Sequence, residues 1–261
     1  MARQKDSWLS ARIRRRAARY WEDMLHGLRH SPDPLPARVA DETRALRDIL
    51  AEVVVVSAAK MPSARNALSR MVLPQGTDWR WRPEVLHSRI ARQAIVGPES
   101  GMTLVPGVSL FHDCPDRAVI LRQRRNGAAT DTTPFGLMVE VMGFRGSYLS
   151  CSFDLPAQAL DRLSTHHVLR LDMVADAERP LAVYARLNVQ QGPNIEPVLH
   201  KIGDDLAGQD NRRVAEFDLG YAELSARVID KVWLDLILER PAMSALTLRD
   251  LVLSRHPRAQ M

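Results

Sequence analysis

The second half of the chain consists of short segments in which apolar and polar residues alternate with a period of two. The clearest is 181–190, where every odd-numbered residue is apolar and the other side carries Tyr184, Arg186, Asn188 and Gln190. Successive side chains of a strand point to opposite faces, so this pattern predicts a strand with one buried and one exposed face. Such one-sided alternation is typical of antiparallel sheets.

Nine segments of this kind occur after Leu104. The other eight are 108–113, 118–124, 135–142, 148–155, 168–174, 213–219, 228–239 and 246–255. No stretch between them is long enough for the repeated helical crossovers that parallel strands require. We therefore predict an antiparallel β-sandwich of jelly-roll type, without a strand order.

The N-terminal part follows a helical period instead. A helix over residues 7–29 is predicted by apolar positions three and four residues apart, which are Leu9, Ile13, Ala17, Tyr20, Met24 and Leu28. A second helix is expected over 37–58, with a short strand at Val53–Val56 as the alternative, because those residues are β-branched. Pro62 can open a third helix over 62–72.

These patterns divide the chain into three parts. We expect a helical region at 1–73, a connector packed on the surface at 74–103 and the sandwich at 104–261. The predicted fold class is α+β, with helices first and the antiparallel β-sandwich after them.

Positive charge is concentrated at the N-terminus. Residues 1–30 hold eight Arg or Lys and three Asp or Glu, an excess that equals the net charge of +5 of the whole chain. Four arginines form one basic stripe on the predicted helix: Arg12, Arg15, Arg16 and Arg19. The stripe favours an anionic membrane surface or an acidic protein as partner, and nucleic acid less. The alternative is a helix docked on the sandwich with its arginines in water.

The most specific surface feature is the polar row of segment 181–190. Tyr184 offers a flat apolar ring, and Arg186, Asn188 and Gln190 offer donors and acceptors, as a sugar requires. We expect Asn194 and Glu196, after a Gly-Pro turn, to supply the rim, and Trp233 to join if its strand is a neighbour. The alternative is that the row is an ordinary solvent-exposed strand face without a ligand, because the outer face of any strand is polar.

Metal and cofactor sites are not predicted. The residue types of metal ligands occur, but their spacing matches no known pattern; they are His112, Asp113, Cys114, Cys151, His166 and His167. Motifs of nucleotide-binding proteins, hydrolases and metalloproteases are absent. A pair of carboxylates for glycoside hydrolysis could come from several residues, which are Asp154, Asp172, Glu196, Glu216 and Asp235. Only the distance between two carboxyl groups would show whether they can act as such a pair.

The cellular location is expected to be cytoplasmic, with attachment to the membrane periphery through the arginine helix as an option. Two cysteines are too few for a disulfide framework. No apolar run approaches the length of a membrane span. The oligomeric state cannot be predicted from the sequence.

Several strings of the sequence resemble an uncharacterised alphaproteobacterial family, a domain of unknown function of about this length. They are Asp78–Pro83, Phe111–Cys114, Arg122–Asn126 and Arg186–Asn188 followed by Gly192–Asn194. That resemblance implies no activity and no functional residues. The strand region also resembles the galactose-binding-like jelly rolls that many carbohydrate-binding modules use, which implies a carbohydrate ligand.

Taken together, these features favour non-enzymatic recognition of a glycan or polysaccharide precursor by the sandwich. The alternative function is a peripheral scaffold that the basic helix attaches to an anionic membrane or an acidic partner.

Overall fold

A strand of 25 residues, β8 (His167–Gln191), runs through the whole β-structure and joins its two sheets. The computed structural model describes residues 8–31, 35–60, 68, 71–128, 130–225 and 228–258. The chain divides into two compact units, Met1–Val53 and Val54–Met261. The β-structure belongs to the second unit.

Two long helices precede the strands, as predicted. Helix α1 covers Trp8–His30 and α2 covers Ala37–Lys60. The valine run at 53–56 is helical, so the alternative of a strand there is wrong; a long uninterrupted helix tolerates β-branched residues. The expected helix at 62–72 lies mostly outside the described residues. Within the described part of the chain, no helix is long and apolar enough to cross a membrane.

All strand pairs are antiparallel, which confirms the predicted fold class. A short helix, α3 (Glu84–His87), lies between the first two strands. The other strands are β1 (Trp79–Trp81), β2 (Ala94–Val96), β3 (Met102–Val105), β4 (Val108–His112), β5 (Val119–Arg125), β6 (Phe135–Val141), β7 (Tyr148–Asp154), β9 (Asn194–Asp218), β10 (Lys231–Glu239) and β11 (Ser244–Pro257).

The strand order shows how β8 serves both halves of the sandwich. The order is β2-β5-β6-β11-β8-β10-β7-β4-β3, with β9 on the free side of β8 and β1 beside β11. The part of β8 from 167 to 177 pairs with β11, and the part from 183 to 190 pairs with β10. We call the half that contains β10, β7, β4 and β3 the front sheet, and the half that contains β11, β6, β5 and β2 the back sheet.

The alternation of the sequence explains the core between the two sheets. Leu149, Cys151 and Phe153 of β7 are buried, as are Leu246 and Leu248 of β11. All belong to one hydrophobic cluster, to which both sheets contribute. Each fully buried Leu or Phe side chain stabilises the fold by roughly 1.5–3 kcal/mol.

Three stretches differ from the sequence-based expectation. Segments 168–174 and 181–190 belong to one strand, β8, because the ladder continues past Pro180 with register shifts on both sides of it. Strand β9 begins at Asn194, although its first half lacks clean alternation. The expected connector, 74–103, contains β1, β2 and α3, and α3 buries Val85 and Leu86.

A buried ion pair fastens the segment after β1 to the back sheet. Arg82 donates from Nε and Nη2 to the two oxygens of Asp250, each at 2.8 Å. The two side chains are only 1% and 9% exposed. Thr132 also donates to Asp250. Loss of one partner would leave the other charge buried without compensation.

We predict that Arg82→Met lowers the free energy of unfolding by about 3–5 kcal/mol, because it leaves the Asp250 carboxylate buried and unpaired. Arg117→Met is the matched control: Arg117 pairs with Glu99 on the surface at 2.9 Å. Exposed pairs of this kind contribute about 0–1 kcal/mol. Urea denaturation measures both variants, and equal small losses would contradict the assignment.

Candidate functional site

The predicted polar row lies on the outer face of the front sheet. Tyr184, Arg186 and Gln190 are half-buried, and Trp233 of β10 stands directly opposite Asn188. Residues that pair across strands share a face, so the neighbouring strand does bring Trp233 to the row. We call this surface the front face.

Strands on both sides extend the front face. On β7 the paired positions are Tyr148, Ser150, Ser152 and Asp154. Beyond β7, Ser109 and Phe111 of β4 continue it. On the other side, β9 adds Ile195, Leu199 and Lys201. The face therefore crosses five strands.

A buried carboxylate organises the centre of the front face. Asp235 is 4% exposed and pairs in register with Arg186. Arg186 donates to its Oδ2 from Nη2 at 2.9 Å and from Nε at 3.2 Å, and Asn188 donates from Nδ2 at 2.9 Å. These charge-assisted bonds hold the guanidinium in one orientation.

This arrangement corrects the expected role of Asn188. Its side chain is 3% exposed, and its amide nitrogen is directed at Asp235. It therefore positions Asp235 and is not on the surface itself. The cause is the neighbouring strand, which places a carboxylate beside the amide.

Two half-buried aromatic rings flank this network. Tyr184 donates its hydroxyl to Glu239 at 3.1 Å, and Lys201 Nζ lies 5.8 Å from its ring centroid. Lys231 Nζ lies 5.4 Å from the ring centroid of Trp233. The two rings stand four residues apart along paired strands, about 13 Å at the usual rise. The Arg186–Asp235 pair lies between them.

Two short side chains lie on the front face beside the network. Ser150 and Ser152 are buried although they belong to the outer face. Ser150 stands between Phe111 and Ile237, which are much longer. Its hydroxyl has no hydrogen-bond partner. An unsatisfied buried hydroxyl costs about 1–3 kcal/mol.

Two expected rim residues are not part of the front face. Asn194 pairs with Gln191 and Glu196 pairs with Val189, both on the opposite side of β8 from Tyr184. The tight turn between β8 and β9 preserves the alternation of side chains between the two faces, so Asn194 and Glu196 lie on the face opposite to Tyr184. The β9 residues that share the front face are the odd-numbered ones, beginning with Ile195.

The back sheet has a depression of its own on its outer face, with a volume of about 750 Å³. Its central charges neutralise one another: Arg249 donates from Nε to Asp131 at 2.8 Å and lies 3.4 Å from Asp176. Among the described residues, no aromatic side chain lines it. The back-sheet depression therefore presents ion pairs, whereas the front face presents aromatic rings.

The residue types of metal ligands do not converge among the residues that the structure describes. No three His, Cys, Asp or Glu side chains there could hold a metal ion. His112 is the last residue of β4, where its Nε2 bonds to the carbonyl of Pro98, and Asp113 after it accepts from the backbone and hydroxyl of Ser147. Asp154 is paired with Lys231 at 2.8 Å.

The chain belongs to a family of unknown function, DUF6478, whose profile matches residues 1–261. Among curated proteins, none matches the sequence.

Solved structures with a similar fold share little sequence with it. The enzymatically active domain of tailspike protein 4 from bacteriophage CBA120 is 7% identical with a TM-score of 0.42, over 62% of this chain and 21% of that one. The chain thus spans about a fifth of that protein's length. The CBM22-1 xylan-binding domain from Paenibacillus barcinonensis is 11% identical with a TM-score of 0.39, over 64% and 94%. A family 11 carbohydrate-binding module from Clostridium thermocellum is 11% identical with a TM-score of 0.36, over 62% and 94%. Identities and scores this low transfer neither a ligand nor an activity to this chain.

The two cysteines differ in chemistry because their surroundings differ. Burial raises the pKa of the Cys151 thiol to about 12, and the charge of Asp235 adds to the shift. At Cys114 burial also favours the neutral thiol, but backbone N–H groups, first that of Arg145, donate to the sulfur and lower its pKa overall. Only the thiolate is an effective nucleophile.

We predict that iodoacetamide at pH 8 modifies Cys114 before Cys151, and that Cys151 reacts only after unfolding. Peptide mass spectrometry with and without urea measures both sites. Modification of Cys151 in the folded protein at the rate of Cys114 would contradict the packing of β7 behind the front face.

Proposed function

We propose that this protein is a glycan-binding module and that the front face is its binding site. One observation carries the proposal: two half-exposed aromatic rings flank a hydrogen-bonded Arg186–Asp235 pair on one open sheet face. Sugar rings present apolar C–H patches and equatorial hydroxyls, which match aromatic rings and fixed polar groups respectively.

Each residue has a distinct role in this proposal. Tyr184 and Trp233 stack on sugar rings. Arg186 donates to ligand hydroxyls, while Asp235 and Asn188 hold its guanidinium in place. Gln190, which donates to the carbonyl of Gly192 at 3.2 Å, lies beyond Trp233 at one end of the face.

The rigidity of the network supports recognition. Arg186 is already paired and oriented, so a ligand would not have to order a long flexible side chain, a cost of about 0.5–1.5 kcal/mol. The charges of the central pair cancel, which favours a neutral hydroxyl-rich ligand over a strongly charged one.

We predict that Tyr184→Ala with Trp233→Ala weakens binding of the best glycan from an array screen by at least about tenfold, since each stacked ring contributes about 0.5–1.5 kcal/mol beyond burial. Titration calorimetry measures the affinity. The matched control is Tyr221→Ala, because Tyr221 is an exposed tyrosine outside the front face. Equal losses in both variants, or none in either, would contradict the proposed site.

A second function rests on helix α1. None of its residues is buried, and it exposes Trp8, Leu9, Ile13 and Tyr20 to solvent. The arginine stripe has no carboxylate partner among the residues that the structure describes. We propose that α1 attaches the protein to an anionic membrane surface on the cytoplasmic side, a location compatible with lipid-linked glycan precursors as ligands.

We predict that changing Arg12, Arg15, Arg16 and Arg19 to Gln lowers the partitioning onto vesicles of phosphatidylcholine with one-third phosphatidylserine at least tenfold, at about 1 kcal/mol per arginine. The control variant carries Gln at Arg38, Arg44 and Arg47, three arginines of α2 that pair with acidic neighbours. Vesicle sedimentation at two salt concentrations measures binding, and salt-independent or unchanged binding would contradict the role of the stripe.

A further inference from the structure

Strand β9 is an edge strand along its whole length. It pairs with β8 from Asn194 to Asp218, and no strand in the described part of the chain pairs with its other side. Proteins usually protect long edges, because an edge with unpaired N–H and C=O groups can bind another strand.

Proline, lysine and register shifts protect only the first part of this edge. Pro197 lacks an N–H group, Lys201 places a charge on the edge, and register shifts interrupt the ladder in the middle of the strand. Residues 211–218 differ: they pair with 168–175 in an unbroken register and include neither proline nor lysine. We call residues 211–218 the open edge.

The hydrogen-bond pattern shows which groups of the open edge are free. The ladder between β11 and β8 ends with Arg258 N donating to His166 O, so even-numbered residues of this part of β8 bond to β11. The odd-numbered ones therefore bond to β9. Their partners in β9 are also odd-numbered, since Leu169 pairs with Phe217. Arg212, Val214 and Glu216 consequently direct their backbone groups away from the sheet.

The same three residues form a charge pattern that is complementary to itself. Val214 is 51% exposed, with Arg212 two residues before it and Glu216 two residues after it. When two copies of this segment run antiparallel with Val214 opposite Val214, each Arg212 stands opposite a Glu216. Opposite charges at such positions stabilise a strand pair, and like charges destabilise it.

We propose that the open edge binds the open edge of a second copy of this chain, so that two back sheets join into one continuous sheet. About six backbone hydrogen bonds form between residues 212 and 216 of the two copies. Registers centred on Arg212 or on Glu216 would place like charges opposite each other. The interaction is independent of the front face, which lies on the other sheet.

A charge exchange tests the proposal in the full-length protein. We expect the wild type to be a dimer in sedimentation-velocity analysis, with a dissociation constant raised at least tenfold in Arg212→Glu and in Glu216→Arg. The double variant R212E/E216R should return to the wild-type constant, because the opposed charges are then complementary again. Both residues are exposed and their pairs within the chain, with Asp210 and Arg170, lie on the surface, so the variants should fold.

The control is Arg125→Glu, an exposed arginine of β5 away from the open edge. It should dimerise like the wild type. A monomeric wild type at all concentrations, or a double variant no better than the single ones, would overturn the proposal.

A cysteine variant tests the register. Residues opposite each other in a hydrogen-bonded antiparallel pair have Cα atoms about 5.5 Å apart, within the range that a disulfide spans. Val214→Cys should therefore form a disulfide-linked dimer under mild oxidation, and Val228→Cys, at another exposed valine, should not. Equal cross-linking in both variants, or none at position 214, would contradict the pairing about Val214.

Discussion

The whole β-structure depends on the unbroken length of β8. Its 25 residues hydrogen-bond first to β11 and then to β10, so the two halves of the sandwich are parts of one bent sheet. Both halves contribute side chains to one hydrophobic cluster, which forms the core. Strand β9 lies on the other side of β8 and forms a long edge among the strands that the structure describes.

The centre of the front face is built from polar groups that satisfy each other. The Asp235 carboxylate is almost inaccessible, and it is stable there because a guanidinium and an amide donate to it. That pairing orients Arg186 between two aromatic rings. The opposite side of β7 carries Cys151, whose raised pKa reflects the apolar core directly behind the polar face.

Side-chain parity could be predicted from the sequence, because it is a local property of each strand. The alternation of 181–190 and of 228–239 predicts that Tyr184, Arg186 and Trp233 lie on outer faces, and this prediction needs no information on which strands pair. Contacts between strands could not be predicted in this way. The burial of Asn188 depends on Asp235, which is 47 residues away in the chain, and the location of Asn194 and Glu196 depends on a turn that continues the register. The start of β9 could not be predicted, because an edge strand with a proline lacks the regular alternation of a central strand.

The central claim is that glycans bind the front face, and backbone amide chemical-shift mapping of the full-length protein during glycan titration tests it most directly. The account predicts that the largest shift changes fall on residues 148–154, 184–190 and 231–239. Changes concentrated on residues 122–140 and 245–249, around the back-sheet depression, would contradict it.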